Sequence, residues 1–322
     1  MEIIYSKFST HRLECFQIAT YIAKKDNNEK IVIKKALTPQ SVEHIKKINS
    51  GYILLNQKLQ NNNLILPNIY KYDNENIIFE YIEGKSLDEE LFNCFLQDNK
   101  SEFLNLIDKY VWILKNSLLL YEKPNFSDDL YKIFKIEETS NFLKSKLPSI
   151  SPATIDLIFE NIMVNEGKYY FIDPEWIFEG ALPYNYYLFR SLFYFYKVKY
   201  LEFEVDKWLP LCSLFEKYKI TEFEQSFYNE MEENFQKYVF GQPKYFEYKE
   251  KYVQNINTID GYEKQINHYK VLLTERELLL NNIFNSRSWK IIKKIESVIN
   301  TICPTNSLRR KLLEKILSLV TK

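Results

Sequence analysis

Residues 155–176, IDLIFENIMVNEGKYYFIDPEW, constrain this chain more than any other stretch. Ile162-Met163-Val164 runs into a polar turn at Asn165-Glu166-Gly167-Lys168, and a second apolar run, Tyr169-Tyr170-Phe171-Ile172, ends on Asp173. The pattern predicts a β-hairpin. Asp156 precedes Asn161 by five residues, and Asp173 follows Asn161 by twelve, so one carboxylate stands at the entrance of the hairpin and another at its exit.

That order of side chains suits a particular chemistry. In phosphoryl transfer from ATP, one Asp accepts the proton of the attacking hydroxyl, a nearby Asn binds Mg²⁺, and a second Asp holds the metal against the phosphates. The segment resembles the catalytic region of the protein-kinase-like superfamily, in its aminoglycoside and choline kinase branch, where D-x-x-x-x-N is followed by a strand pair and a metal-binding Asp. The resemblance implies Asp156 as base and Asn161 and Asp173 as metal ligands. Pro174 and Glu175 stand where protein kinases have Phe and Gly, and Thr154-Ile155 replaces the usual His-Arg before the base.

The resemblance implies further parts upstream. Ile31-Val32-Ile33-Lys34 reads as a strand, with Lys34 preferred over Lys35 because period two places it on the face of Val32, a plausible cover for the adenine. After Pro39 an amphipathic helix begins near Glu43, and a Lys34–Glu43 salt bridge would direct the ammonium toward the phosphates. Asn76 to Leu87 is similar to the hinge between two lobes, with backbone groups of Glu80 and Ile82 at the adenine edge. Gly84 permits the turn, and Ser86 caps a helix that has Glu89 at its third position. The six glycines, at 51, 84, 167, 180, 241 and 261, are too scattered to build a phosphate loop. The segment Tyr5 to Arg12 would have to cover the nucleotide instead. Arg12 is its candidate phosphate contact, though it reads first as a surface residue.

The expected fold class is α+β: a bilobal kinase-like fold, with a small antiparallel sheet lobe over residues 1–80 and a hinge and helical lobe over 81–245. A helical linker or short coiled coil (246–284) and a basic amphipathic tail (285–322) follow. At 322 residues and 46% hydrophobic content the chain can bury a large core. The cysteines, at 15, 94, 212 and 303, and three scattered histidines suggest neither a disulfide framework nor a zinc site. With no signal-like start and no window of eighteen apolar residues, the expected location is the cytoplasm.

A formal charge of zero conceals a division. Residues 285–322 hold nine Lys and Arg against two Glu, a net +7, which leaves the preceding residues at −7. Two basic amphipathic runs, from Trp289 to Ile302 and from Ser307 to Val320, flank Pro304. They suit the anionic inner face of a membrane, with partner helices or the chain's own acidic body as alternatives, and no nucleic acid is expected. The apolar steps of 257–284 suggest a homo-oligomer or a spacer, although Arg276 interrupts the seam.

D-P-E-W with the downstream Pro183-Tyr184 and Phe189-Arg190-Ser191-Leu192 resembles kinase-like domains attached to bacterial methyltransferases and glycosyltransferases of O-antigen and capsule synthesis. The implied activity is ATP- and Mg²⁺-dependent phosphorylation of a sugar hydroxyl on a glycan or small-molecule acceptor, alongside polysaccharide-synthesis enzymes. Two other readings are an inactive scaffold for such an assembly, and a glycosyltransferase using Asp128-Asp129 or Asp173-Pro174-Glu175 for a metal–nucleotide sugar.

Overall fold

The β-branched and aromatic runs near the N-terminus form five strands: β1 (Glu2–Phe8), β2 (Ile18–Lys24), β3 (Lys30–Ala36), β4 (Ile69–Asp73) and β5 (Asn76–Glu80). They make one antiparallel sheet in the order β1-β2-β3-β5-β4. Lys34 faces Thr20 across one side of β3 and Ile77 across the other, so it sits in the middle of the sheet. The computed structural model describes residues 1–137, 140–242, 259–302, 304, 307, 309 and 310. The chain divides into two units, 1–255 and 256–322.

Between β3 and β4 runs helix α1 (Val42–Lys58), entered through a turn in which the Thr38 hydroxyl accepts from the Ser41 amide. Its buried residues include His44, Ile48, Gly51 and Leu55, a stripe at three- and four-residue steps. Ile45 and Ile48 meet Ile18, Ile77 and Phe79 of the sheet in a small core of their own. Gly51 permits close packing: a Cβ there would lie 3.0 Å from Cβ of Ile177.

Residues 81–83 lie outside strand and helix, and they lead into the helical part. Gly84 adopts φ +139°, and a Cβ there would lie 2.4 Å from the carbonyl oxygen of Val164. Lys85–Ser86 can then pair with the first strand of the predicted hairpin, Met163 opposite Ser86. Gly84→Ala should therefore push the hinge off the hairpin and cost about 1–3 kcal/mol, readable as a lower urea midpoint. An unchanged midpoint would show that the hinge relaxes without loss.

The helical part contains α2 (Leu87–Leu96), α3 (Lys100–Ser117), α4 (Tyr184–Phe193) and α5 (Glu222–Phe240), with shorter turns between them. At the start of α2 the Glu89 carboxylate accepts from the Ser86 amide at 3.4 Å, as the capping pattern predicted. Phe103, Ile107, Tyr110, Ile113 and Leu114 are the buried face of α3. Phe195, Tyr196 and Tyr200 are core residues too, which accounts for that aromatic run. The hairpin forms as β6 (Ile162–Asn165) and β7 (Lys168–Phe171), with Glu166 and Gly167 at φ +48° and +75° in the turn. A two-lobed α+β architecture is thus observed, the helical lobe holding the larger core.

The second unit contributes α6 (Ile259–Asn285) and α7 (Arg287–Ile302). The hydroxyl of Ser286, between them, accepts from the Trp289 amide at 3.1 Å and so starts α7. The beginning of the expected linker and most of the run from Ser307 to Val320 lie outside the described residues. No described helix is long and apolar enough to cross a membrane.

Candidate active site

The hairpin gathers Asp156, Asn161 and Asp173 as its pattern predicted. Ile162 faces Phe171, and the Ile172 amide donates to the Asn161 carbonyl at 2.8 Å, so Asn161 and Asp173 become neighbours at the open end. Asn161 Nδ2 donates to the Asp156 carbonyl at 2.9 Å, which fixes the loop carrying Asp156 and leaves the amide oxygen of Asn161 as an acceptor. Asp173 has a left-handed backbone, φ +58°, and its side chain is 42% exposed.

Lys34 reaches this cluster from β3. Its ammonium donates to Asp173 and lies 3.3 Å from Glu175 Oε2, with the side chain 3% exposed. Burial opposes the charge, but Asp173 and Glu175 overcome it and hold the Lys34 pKa above its ordinary value. The sequence-based choice of Lys34 over Lys35 is consistent with this placement, since Lys35 is exposed.

The partner of Lys34 is a correction. Glu43 was expected, yet its side chain is 67% exposed and pairs with Lys46 at 3.3 Å. The helical phase explains the difference. The buried stripe of α1 passes through His44, Ile48 and Gly51, and Glu43 lies about 100° away from His44 around the axis. Glu175 takes the role instead: its carboxylate meets Lys34, the Arg12 guanidinium and, at 2.7 Å, His44 Nε2. Burial raises the pKa of Glu175, but Arg12, Lys34 and His44 outweigh it and hold the carboxyl well below the usual range. The His44 ring packs 4.6 Å from the Trp176 ring, so the D-P-E-W segment is clamped on α1.

Arg12 is likewise not the surface residue it first reads as. The connection between β1 and β2 turns inward: the Leu13 amide donates to the Val239 carbonyl at 2.9 Å, and Phe16 packs on His44, Trp176 and Tyr238. The Ser9 hydroxyl is committed to the Ile18 carbonyl at 2.9 Å. Ser9 and the Arg12–Glu175 pair therefore tie this connection to the body of the fold. One donor is unspent: Arg12 Nε is buried without a hydrogen-bond partner among the described residues.

At the hinge, the Glu80 amide donates to the Asn68 carbonyl at 2.8 Å and its carboxylate accepts from Asn68 Nδ2 at 2.6 Å. The amide and the side chain of Glu80 are thus both engaged within the sheet lobe. Ile82 is buried in the strand-free stretch, with its backbone outside the sheet ladder.

The support that Thr154 and Ile155 do not supply comes from Arg190 of α4. Its Nη1 donates to the Ile155 carbonyl at 2.8 Å and to Asp156 Oδ1 at 3.3 Å, while Nε donates to Glu232 of α5 at 2.8 Å. The Tyr110 hydroxyl donates to the Leu157 carbonyl at 2.7 Å, and the Tyr187 hydroxyl accepts from the Thr154 amide at 3.1 Å. Burial drives the Asp156 pKa from 3.8 to about 7; Arg190 opposes the rise, and the nearby charges of Glu175 and Asp173 add to it. A carboxyl that titrates there is suited to general-base work near neutral pH. Arg190, Glu175 and His44 make ion pairs and hydrogen bonds that the sequence reading did not assign to them. An arginine inside the apolar run YYLFRSLF, and the off-stripe phase of Glu43, were the available signals.

Glu175 is committed to three cationic or hydrogen-bonding partners. Asp129, one of the carboxylates of the glycosyltransferase reading, lines a cavity of about 310 Å³ that His44, Gly51, Glu175 and Tyr238 also line.

No protein-family model matches the chain, and no curated protein matches it by sequence. Among solved structures, the chain is similar to an ethanolamine kinase from Plasmodium vivax, at 15% identity and TM-score 0.32, covering 72% of each chain. It is also similar to an apo macrolide 2′-phosphotransferase from Brachybacterium faecium, at 10% identity and TM-score 0.30, covering 59% of this chain and 70% of that one. A type I macrolide 2′-phosphotransferase aligns at 9% identity and TM-score 0.35, over 72% of this chain and 84% of that one. Identities and scores are low, and the chemistry of the site rests on its own residues.

Proposed function

We propose that the two-lobed unit is an ATP- and Mg²⁺-dependent phosphotransferase that acts on an alcohol hydroxyl. The observation that carries the reading is the meeting, at one end of the hairpin, of Lys34, Asp173, Asn161 and an Asp156 whose pKa is raised to about 7. Asp156 would take the proton as the hydroxyl oxygen bonds to the terminal phosphorus and the bond from that phosphorus to ADP breaks. Lys34 would turn from its carboxylate partners toward the phosphates, and the unspent Nε of Arg12 is a donor that an anionic oxygen could satisfy. Asp173 and the amide oxygen of Asn161 would hold Mg²⁺, which neutralises phosphate charge when bound and needs only one or two carboxylates or amides beside phosphate and water oxygens.

The acceptor we propose is a sugar hydroxyl at a glycan end or on a small molecule, in bacterial surface-polysaccharide synthesis. The support is the likeness of D-P-E-W, Pro183-Tyr184 and Phe189-Arg190-Ser191-Leu192 to kinase-like domains of that system. A second reading, an inactive scaffold, is favoured by one feature: Arg12, Glu175, Lys34 and Asp173 already neutralise one another.

Calorimetric titration with ATP, with and without Mg²⁺ and with UDP- and GDP-sugars as controls, separates these readings. ATP binding that depends on Mg²⁺ and is lost in Asp173→Ala supports the phosphotransferase. No ATP binding by folded protein, or binding indifferent to metal, sinks it in favour of the scaffold, and sugar-nucleotide binding would support the transferase.

A further inference from the structure

Helix α7 has a face that no described residue of its own unit covers. Ile291, Ile292, Ile295, Val298 and Ile302 are each at least half exposed. At 100° per residue they share an arc of about 120°. Arg287, Lys290, Lys293 and Lys294 fill an adjoining arc of about 120°, and Glu296 is the only acidic residue of the helix. Five neighbouring β-branched side chains left in water are costly, and four cations beside them name the sign of what should cover them.

The preceding helix sharpens the contrast. Over α6 the charges are mixed, Lys264, Lys270 and Arg276 against Asp260, Glu263, Glu275 and Glu277. Mixed signs flanking an apolar strip suit helix–helix pairing, where charges of both signs complement a partner. In α7 the charged residues are basic except for Glu296, which pairs with Lys293 at 2.8 Å, and a net positive helix would repel its like and be attracted by an anionic surface. At sixteen residues α7 is too short to span a bilayer. Trp289, packed 5.5 Å from Phe284 at the junction of the two helices, is a residue that favours the headgroup level.

We propose that α7 seats in the plane of an anionic lipid bilayer, its isoleucine face in the acyl boundary and its lysines at the headgroups, so that the chain is held at a membrane surface without crossing it. The proposal stands apart from the phosphotransferase reading, because it uses no residue of that site.

The test is co-sedimentation of the full chain with vesicles of phosphatidylcholine, alone or mixed in equal parts with phosphatidylglycerol. Binding should require phosphatidylglycerol and weaken with salt. Replacing Lys290, Lys293 and Lys294 together by Gln should weaken it about 10²-fold, from a loss of roughly fivefold per charge. Ile291→Asn with Ile295→Asn should abolish it, while sedimentation velocity without vesicles stays the same for every variant. Equal binding to neutral vesicles, undiminished binding by the lysine variant, or no binding at all would overturn the proposal. An isoleucine variant that breaks up an oligomer but still binds vesicles would assign this face to a partner helix instead.

Discussion

Asp156→Asn is expected to leave Mg-dependent ATP binding in place while phosphoryl transfer falls by ~10²-fold or more, the scale of a general base. The amide keeps the shape of the carboxylate but has no basic oxygen. In the parent, kcat/KM should rise with pH through about 7 and then level off, since the carboxylate form is needed and burial delays its formation. The stability consequence has the opposite sign. A carboxyl whose folded pKa lies above the unfolded value of 3.8 binds its proton more tightly when folded, so this residue's contribution to stability declines as pH rises from 3.8 through about 7. Between pH 5 and pH 8 the parent should therefore lose ~2–3 kcal/mol of stability that Asp156→Asn keeps. Urea unfolding of both proteins at the two pH values checks the sign. Equal turnover by variant and parent would remove Asp156 as the base.

Arg190→Met should have the largest effect on stability, about 3–5 kcal/mol, because it leaves a buried carboxylate without its cation. Glu232 is 5% exposed and, among the described residues, would retain the Tyr194 hydroxyl at 2.9 Å and Gln236 Nε2 at 3.1 Å. Glu232→Gln on the Arg190→Met background should recover part of the loss, and a double-mutant cycle measures the coupling. A positional role predicts more than destabilisation. Arg190 opposes the rise of the Asp156 pKa, so in its absence the rising limb of the pH profile should move upward, and the Ile155 carbonyl should lose its anchor. A less stable protein with an unmoved pH profile would confine Arg190 to the core.

Much of the site was legible before any coordinates. Period-two alternation over Ile162 to Ile172 and a polar turn with a glycine specify hairpin, register and the return of Asp173 toward Asn161. The Ser86–Glu89 cap and the buried face of α3 followed from short-range spacing in the same way. Lys34 over Lys35 was again a matter of strand period. The apolar strip of α6 is a pattern of the same local kind, and it specifies the helix without specifying a partner.

The ion pairs were not legible, and their separation in the chain says why. Glu175 lies 141 residues from Lys34, 163 from Arg12 and 131 from His44, and Glu232 lies 42 from Arg190. Periodicity decides which residues of one element share a face; it does not decide how far the element is rotated toward its neighbour. In α1 that rotation turns His44 inward and Glu43 to water, because Ile45, Ile48 and Gly51 must pack on the sheet and on Ile177. Order, hairpin and caps were thus written in local spacing, whereas the choice of Glu175 for Lys34 and of Arg190 for Asp156 came from the packing of helices against the sheet and against each other, since burial leaves a charge no tolerable place without an opposite one beside it.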